Sequence, residues 1–236
     1  MELKNISNKI IKWDQRIILK YNGFGGKSLT FFLKFISFFG RETIWLLLMW
    51  YYCFIWYDPF IFSYITTVFV IGLIIIAPVK KLVERERPFE KMESIKVLEP
   101  KPTSRSFPSW HAYNVTSQGL LVGYLLNSMI ITILAIVFTL LVAFSRIQLG
   151  VHYPIDVIVG FILGIIGFVI SSLIFAPIFM DLIKIIEMLI EIEIYYRIFN
   201  TYLIQNIWYL LLCIIILILI FGIATYKKII KIIIKS

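Results

Sequence analysis

Three short polar clusters interrupt an otherwise apolar chain, and between them they hold its only two histidines. The first is Lys80, followed after six residues by Arg87-Pro88. The second is Pro108-Ser109-Trp110-His111. The third is Ser145-Arg146, five residues, His152, three residues and Asp156. Lys80, Arg87 and Arg146 supply fixed positive charge. A guanidinium offers a planar fork of donors that suits phosphate oxygens, and an ammonium adds a point charge. Ser109 follows a proline and precedes an apolar stretch, so it sits near a helix N-terminus, where free backbone N–H groups and the dipole favour an anion. Together these groups make a phosphate cradle without a metal. His152 and Asp156 are four apart, so in the first turn of a helix the carboxylate reaches one ring nitrogen. That fixes the tautomer and leaves the other nitrogen free to attack phosphorus. Pro154 is tolerated in a first turn and fits this placement. His111 is then the remaining acid/base candidate, for protonating a leaving oxygen and later activating water.

Each residue also has a plainer explanation. A histidine at the end of an apolar stretch is commonly an interfacial hydrogen-bonder, and lone lysines or arginines beside membrane spans are commonly topology signals. Those explanations do not account for all three spacings at once.

The elements that must position these residues are membrane helices. The chain has 236 residues, 60% of them hydrophobic, with a mean hydropathy of +0.91. Soluble domains sit near ~45–50% apolar, and the excess here lies in long runs, the mark of a membrane protein. The formal charge of +9 could suggest nucleic acid in a soluble protein. Here it reads as basic flanks that set topology and touch anionic lipid, and no nucleic-acid partner is expected. Cys53 and Cys213 lie within apolar runs and imply neither a disulfide nor a metal. The charged N-terminus lacks the compact apolar core of a cleavable signal.

Residues 1–22 place Leu3, Ile6, Ile10, Trp13 and Ile17 at helical spacing among Lys4, Lys9, Lys12, Arg16 and Lys20, predicting an amphipathic helix on a membrane surface. Six spans are predicted over the core at 28–177: residues 28–39, 43–57, 60–78, 109–126, 128–144 and 155–175. Gly160 and Gly164 in the last have the spacing that admits a close neighbour, although such glycines are also ordinary membrane-helix composition. The extension at 178–236 is expected to be helical. Its stretch at 181–199 mixes Ile and Leu with Lys184, Glu187 and Glu191 on one stripe and pairs Glu193 with Arg197, predicting an amphipathic helix. Residues 203–224 form a seventh candidate span. A basic N-terminus argues for a cytoplasmic start. Counting spans from there puts 79–107 and 145–156 together on the extracytoplasmic side. A seventh crossing would put Lys227, Lys228, Lys231 and Lys235 outside, against the same tendency.

The three clusters resemble the signature of the PAP2 superfamily (type 2 phosphatidic acid phosphatases): K-x6-RP, PSGH and SR-x5-H-x3-D. Here they read KKLVERERP ending at Pro88, PSWH at 108–111 and SRIQLGVHYPID at 145–156. The resemblance covers roughly residues 28–175. It implies an all-α polytopic transmembrane helix bundle, a six-helix core flanked by the N-terminal helix and C-terminal extension. It implies a phosphatase without metal or cofactor, acting on a lipid phosphate or diphosphate among membrane lipids. His152 would be the nucleophile, Asp156 its orienting carboxylate, and His111 the general acid and then base. Lys80, Arg87, Ser109, Trp110 and Arg146 would bind the phosphoryl group. The candidate substrates it implies are a polyprenyl diphosphate, phosphatidic acid and phosphatidylglycerol phosphate. A lipid phosphotransferase on the same histidine and a non-enzymatic anion-binding membrane protein are the alternatives. Trp110 departs from the signature, standing where the family has glycine. Its backbone N–H is retained, and its indole suits the membrane interface beside a lipid headgroup.

Overall fold

Long apolar runs broken by Pro, Gly and Asp should fold as helices, and they do. A computed structural model of the chain describes residues 2–190 and 196–233. In order these form α1 (Glu2–Tyr21), α2 (Gly26–Phe38), α3 (Glu42–Trp50), a π-helical turn (Tyr51–Ile55), α4 (Pro59–Val83), α5 (Pro88–Lys91), α6 (Trp110–Leu125), α7 (Met129–Gln148), α8 (Pro154–Ile170), a second π-helical turn (Ser171–Phe175), α9 (Ala176–Leu189), α10 (Tyr202–Gln205) and α11 (Ile207–Ile233). Among the described residues β-structure is limited to one isolated bridge, Trp56 with Phe199. Two compact units result, residues 1–41 with 68–171 and residues 42–67 with 172–236.

The first unit is built on α6, α7 and α8. Here the α8 glycines serve close approach. A Cβ at Gly160 would lie 2.5 Å from the Ser109 carbonyl oxygen, and one at Gly164 would lie 2.8 Å from that of Tyr113. Only a bare backbone lets α6 come this near. α6 is 16 residues long and encloses Asn114, Thr116, Ser117 and Gln118 within the protein, which explains its modest apolarity. α1 docks beside the start of α8: Ile18 is fully buried in a cluster with Ile95 and Tyr153, while Lys9, Lys12, Trp13 and Arg16 stay exposed. Asn22 stitches the loop before α6 to the end of α7, donating to the Lys96 carbonyl at 2.9 Å and the Gln148 carbonyl at 3.2 Å.

The second unit joins α3 to the C-terminal extension. Trp50 Nε1 donates to the Cys213 carbonyl at 3.2 Å, and Arg197 pairs with Asp58 at 2.8 Å. The predicted amphipathic helix over 181–199 stops at Leu189. Arg197 lies outside any helix, with φ 56°, and the expected positions of Glu191 and Glu193 fall outside the described residues. Residues 203–224 fall largely in α11, as expected. The side chains of its lysines from Lys227 on lie outside the described residues.

Among the described residues four segments are long and apolar enough to cross a membrane: Pro59–Lys91, Met129–Gln148, Pro154–Leu189 and Ile207–Thr225. The expected crossings at 28–39, 43–57 and 109–126 are not among them. α2 has 13 residues. Near its start Thr30 takes the Gln148 side chain at 2.8 Å, near its end Ser37 takes Arg146 at 2.5 Å, and Gly40 just beyond lies against His111. Both ends therefore sit beside the residues around the polar clusters, and α2 dips along α7 without reaching the far face. The docking of α1 agrees: Asp14 accepts from Ile155 N at 3.0 Å. The N-terminal helix and the 79–107 loop share one face, which corrects the count of crossings that put them on opposite faces.

Candidate active site

The three polar clusters converge in the first unit because each lies at a helix end on one face. α4 ends three residues after Lys80, α6 starts at Trp110, α7 ends two residues after Arg146 and α8 starts two residues after His152. The turn between α7 and α8 is made at Gly150, where φ is 77° and a Cβ would lie 2.7 Å from the Lys96 carbonyl oxygen. Glycine is the residue that adopts this conformation without strain, and the turn delivers His152 inward.

His152 is buried, and its two nitrogens face different partners. Nε2 lies 3.3 Å from Arg87 Nη1. A guanidinium only donates, so Nε2 faces it with its lone pair and the neutral ring carries its proton on Nδ1. That nitrogen points to Asp156 Oδ2 at 3.6 Å and to Ser106 Oγ at 3.5 Å. Burial, then the charges of Arg87, Arg146 and Lys80, hold the His152 pKa well below 6.5. Asp156 is fully buried and caps its own helix, accepting from Tyr153 N at 2.9 Å; it also accepts from Ser106 Oγ at 2.5 Å and from Arg85 Nη1 at 2.5 Å.

Arg87 is fixed by carbonyls: Nε donates to Ser104 at 2.7 Å and Nη1 to Val151 at 2.8 Å. Lys80 Nζ donates to the Arg105 carbonyl at 2.7 Å. Ser109 caps α6, accepting from Ala112 N at 3.4 Å, and its own N–H donates to the Asp156 carbonyl at 2.9 Å. That bond ties the second cluster to the third. His111 follows in the first turn of α6, half-buried, in space left by Gly40, where a Cβ would lie 2.8 Å from its ring. The Trp110 ring stacks on Tyr113 at 5.6 Å and meets the edge of Phe69 at 5.5 Å. It packs on protein and stays half-exposed.

Arg146 is already engaged. Its guanidinium forms a two-pronged ion pair with Glu99, at 3.0 and 2.6 Å, while its buried Nε has no hydrogen-bond partner. Glu99, Ser37, Ser106, Arg85, Asp14 and Gly40 carry no spacing signal. Only the fold brings them here. Among the described residues no three His, Cys, Asp or Glu side chains gather as a metal-holding set, and the positive charge acting on His152 is that of Arg87, Arg146 and Lys80.

Comparison with known families decides the kinship. The model of the PAP2 superfamily matches residues 56–180, more than half of the chain. The chain belongs to the PAP2 superfamily. An undecaprenyl-diphosphatase of Sulfolobus acidocaldarius is 33% identical over 147 residues, which is 62% of this chain and 70% of that protein. A decaprenylphosphoryl-5-phosphoribose phosphatase of Mycobacterium tuberculosis is 40% identical over 95 residues, 40% of this chain and half of that protein. The fold resembles the crystal structure of Aquifex aeolicus LpxE, with TM-score 0.59 and 21% identity over 66% of this chain and 93% of that one. It also resembles the transmembrane PAP2-type phosphatidylglycerolphosphate phosphatase of Bacillus subtilis, with TM-score 0.59 and 22% identity over 79% of this chain and 90% of that one. As a PAP2 protein whose described residues include four segments long and apolar enough to cross a membrane, the chain is an integral membrane phosphatase.

Proposed function

We propose that the chain hydrolyses a phosphomonoester or diphosphate carried by a membrane lipid, through a phosphohistidine on His152. The arrangement at His152 carries the reading: one nitrogen, unprotonated, is presented to Arg87 at 3.3 Å, and the other is turned toward a buried carboxylate. Nε2 attacks phosphorus, the bond from phosphorus to the lipid-bearing oxygen breaks, and His111 gives that oxygen its proton. Water then attacks the phosphohistidine while His111 takes a proton from it. The nitrogen–phosphorus bond breaks, inorganic phosphate leaves and His152 returns neutral. Lys80, Arg87 and Arg146, with Ser109 and the Trp110 backbone at the start of α6, hold the phosphoryl oxygens. Side-chain cations in a dry site are worth far more than in water, so no metal step is invoked.

A polyprenyl diphosphate is the preferred substrate over phosphatidic acid and phosphatidylglycerol phosphate. Two curated relatives bear polyprenyl substrates in their names, which supports this choice. The test is inorganic phosphate release in detergent with EDTA present, over these three lipids, beside His152→Ala. Release that is lost in the variant is expected. Release that persists in it, or that requires an added divalent ion, refutes the reading.

The site is proposed to open to the cytoplasm, against the extracytoplasmic expectation from counting spans. Supporting this, the basic α1 docks on the site face together with Lys81, Lys91, Lys96, Lys101 and Arg105 of the adjoining loop. The turn at the other end of α6, Leu126–Ser128, is uncharged. Lysine and arginine concentrate on cytoplasmic faces. Lys12→Cys, in a chain with Cys53 and Cys213 replaced by serine, should resist a membrane-impermeant maleimide in intact cells and react in inverted vesicles. The reverse pattern restores the extracytoplasmic site.

A further inference from the structure

We propose that Arg85 and Asp14 are positioning residues for the reaction, holding Asp156 in place against His152 from the N-terminal helix. The inference rests on the His152 reading above. Neither residue belongs to the fixed positions of the three clusters. Arg85 is one of the six residues between Lys80 and Arg87, and Asp14 lies on α1, far away in sequence.

The geometry is a clamp. The Arg85 guanidinium lies between two fully buried carboxylates, with Nη1 on Asp156 Oδ1 and Nη2 on Asp14 Oδ2, both at 2.5 Å. Its Cζ sits over the Tyr153 ring, 4.1 Å from the centroid. Asp14 does two things at once, because its other oxygen accepts from Ile155 N at 3.0 Å. One carboxylate on α1 therefore fixes both the cation that grips Asp156 and the backbone of the helical turn that carries Asp156. The fork and the stacking together need arginine; lysine has one point of charge and no plane.

This matters because the contact it controls is loose. Nδ1 of His152 lies 3.6 Å from Asp156 Oδ2, longer than a hydrogen bond. The orientation of the ring therefore depends on where Asp156 is held, and a small displacement decides whether the carboxylate closes on Nδ1–H or leaves it. Without Arg85, Oδ1 is a buried anionic oxygen deprived of the cation touching it, and the carboxylate must turn, take up a proton or draw in water. Each outcome weakens the hold on the nucleophile's tautomer without touching the cradle of Lys80 and Arg87.

The expected result is a fall in kcat with little change in KM. Misplacing a reacting group by 1 Å costs about 100-fold, so Arg85→Gln should lower kcat by about that factor. Asp14→Asn leaves Arg85 in place and should cost about tenfold, and groups acting through one another are not additive, so the double variant should match Arg85→Gln alone. Arg85→Lys should restore part of the loss. Phosphate release is measured per folded molecule, with folded protein counted by monodisperse elution in detergent, beside wild type and His152→Ala. A purely structural role predicts lower yield and melting temperature with kcat per folded molecule intact, and that outcome overturns the proposal. If the wild type releases no phosphate, or His152→Ala retains release, the underlying reading falls and this one with it. If the wild type is active, His152→Ala is dead and both Arg85→Gln and Asp14→Asn keep kcat within about twofold, the clamp alone is refuted.

Discussion

Gly160→Ala tests the link between helix packing and chemistry. A Cβ there would lie 2.5 Å from the Ser109 carbonyl oxygen and 3.0 Å from Ala112 Cβ. The first of these belongs to the backbone and cannot rotate away. Ordinary contact begins near 3.4 Å, so α6 must retreat from α8 by about 1 Å, a shift that costs about 100-fold in rate when it separates reacting groups. The retreat carries Ser109 and His111 away from Asp156 and strains the 2.9 Å bond from Ser109 N to the Asp156 carbonyl. Overpacking of this kind costs about 1–3 kcal/mol, offset by up to about 1 kcal/mol from replacing a helical glycine. Gly222→Ala is the matched control. Nothing lies within 4 Å of its added Cβ, so only the helix gain of up to about 1 kcal/mol should appear. Phosphate release and thermal melting of both variants in detergent decide the matter. Gly160→Ala with wild-type kcat and melting temperature would show that α6 and α8 are not held as described, and the reasoning from helix contact to site geometry would fail.

Other outcomes follow from the same site. Because the folded pKa of His152 lies below its unfolded value near 6.5, the ring stays neutral as pH falls through 6.5 while the unfolded chain takes up a proton there. Stability present above 6.5 is therefore lost progressively below it, and the acid limb of kcat/KM, which reports the free enzyme, should lie below 6.5; an acid limb at or above 6.5 contradicts the assigned environment. Glu99→Gln leaves the Arg146 guanidinium buried without its counter-charge, so the ligand-free protein should lose about 3 kcal/mol. Added inorganic phosphate should then raise its melting temperature more than it raises that of the wild type, and equal shifts would remove Arg146 from the phosphate cradle. Trp110→Gly loses contacts with Tyr113 and Phe69 and should destabilise the protein by about 2 kcal/mol. Its preference among lipid phosphates should stay unchanged, and a switched preference would return the indole to the substrate.

The sequence was informative where a local rule operates. The Ser109 cap and Pro154 at the start of α8 follow from first-turn geometry, and each stands where that geometry puts it; His152 lies just ahead of the helix, and its Nδ1 stops 3.6 Å from Asp156. The glycines of α8 were ambiguous between composition and contact until the carbonyls of α6 lay against them. What could not be read was long-range. Asp14, Arg85 and Glu99 are charged residues in a charged helix and loop, and nothing in their spacing distinguishes a buried clamp from a solvated surface. α2 misled for a different reason: the apolar run at 28–39 resembles a short span despite Lys34, yet its ends lie beside residues of the site face. The predicted helix over 181–199 failed at Ile190, where the chain leaves helical dihedrals despite an apolar periodicity that ran on.

The pair between Arg146 and Glu99 has a consequence for the rhythm of turnover. With its seat filled by a carboxylate, the buried cation never stands naked between substrates. A phosphoryl group that engages Arg146 enters by exchange, one anion for another, and the free energy of binding is the small difference between two similar ion pairs. Capture is weaker than an empty cationic pocket would give. By the same measure, if Arg146 takes a phosphoryl group, the Glu99 carboxylate competes for the same guanidinium with inorganic phosphate, whose departure is the slow step of many well-evolved enzymes.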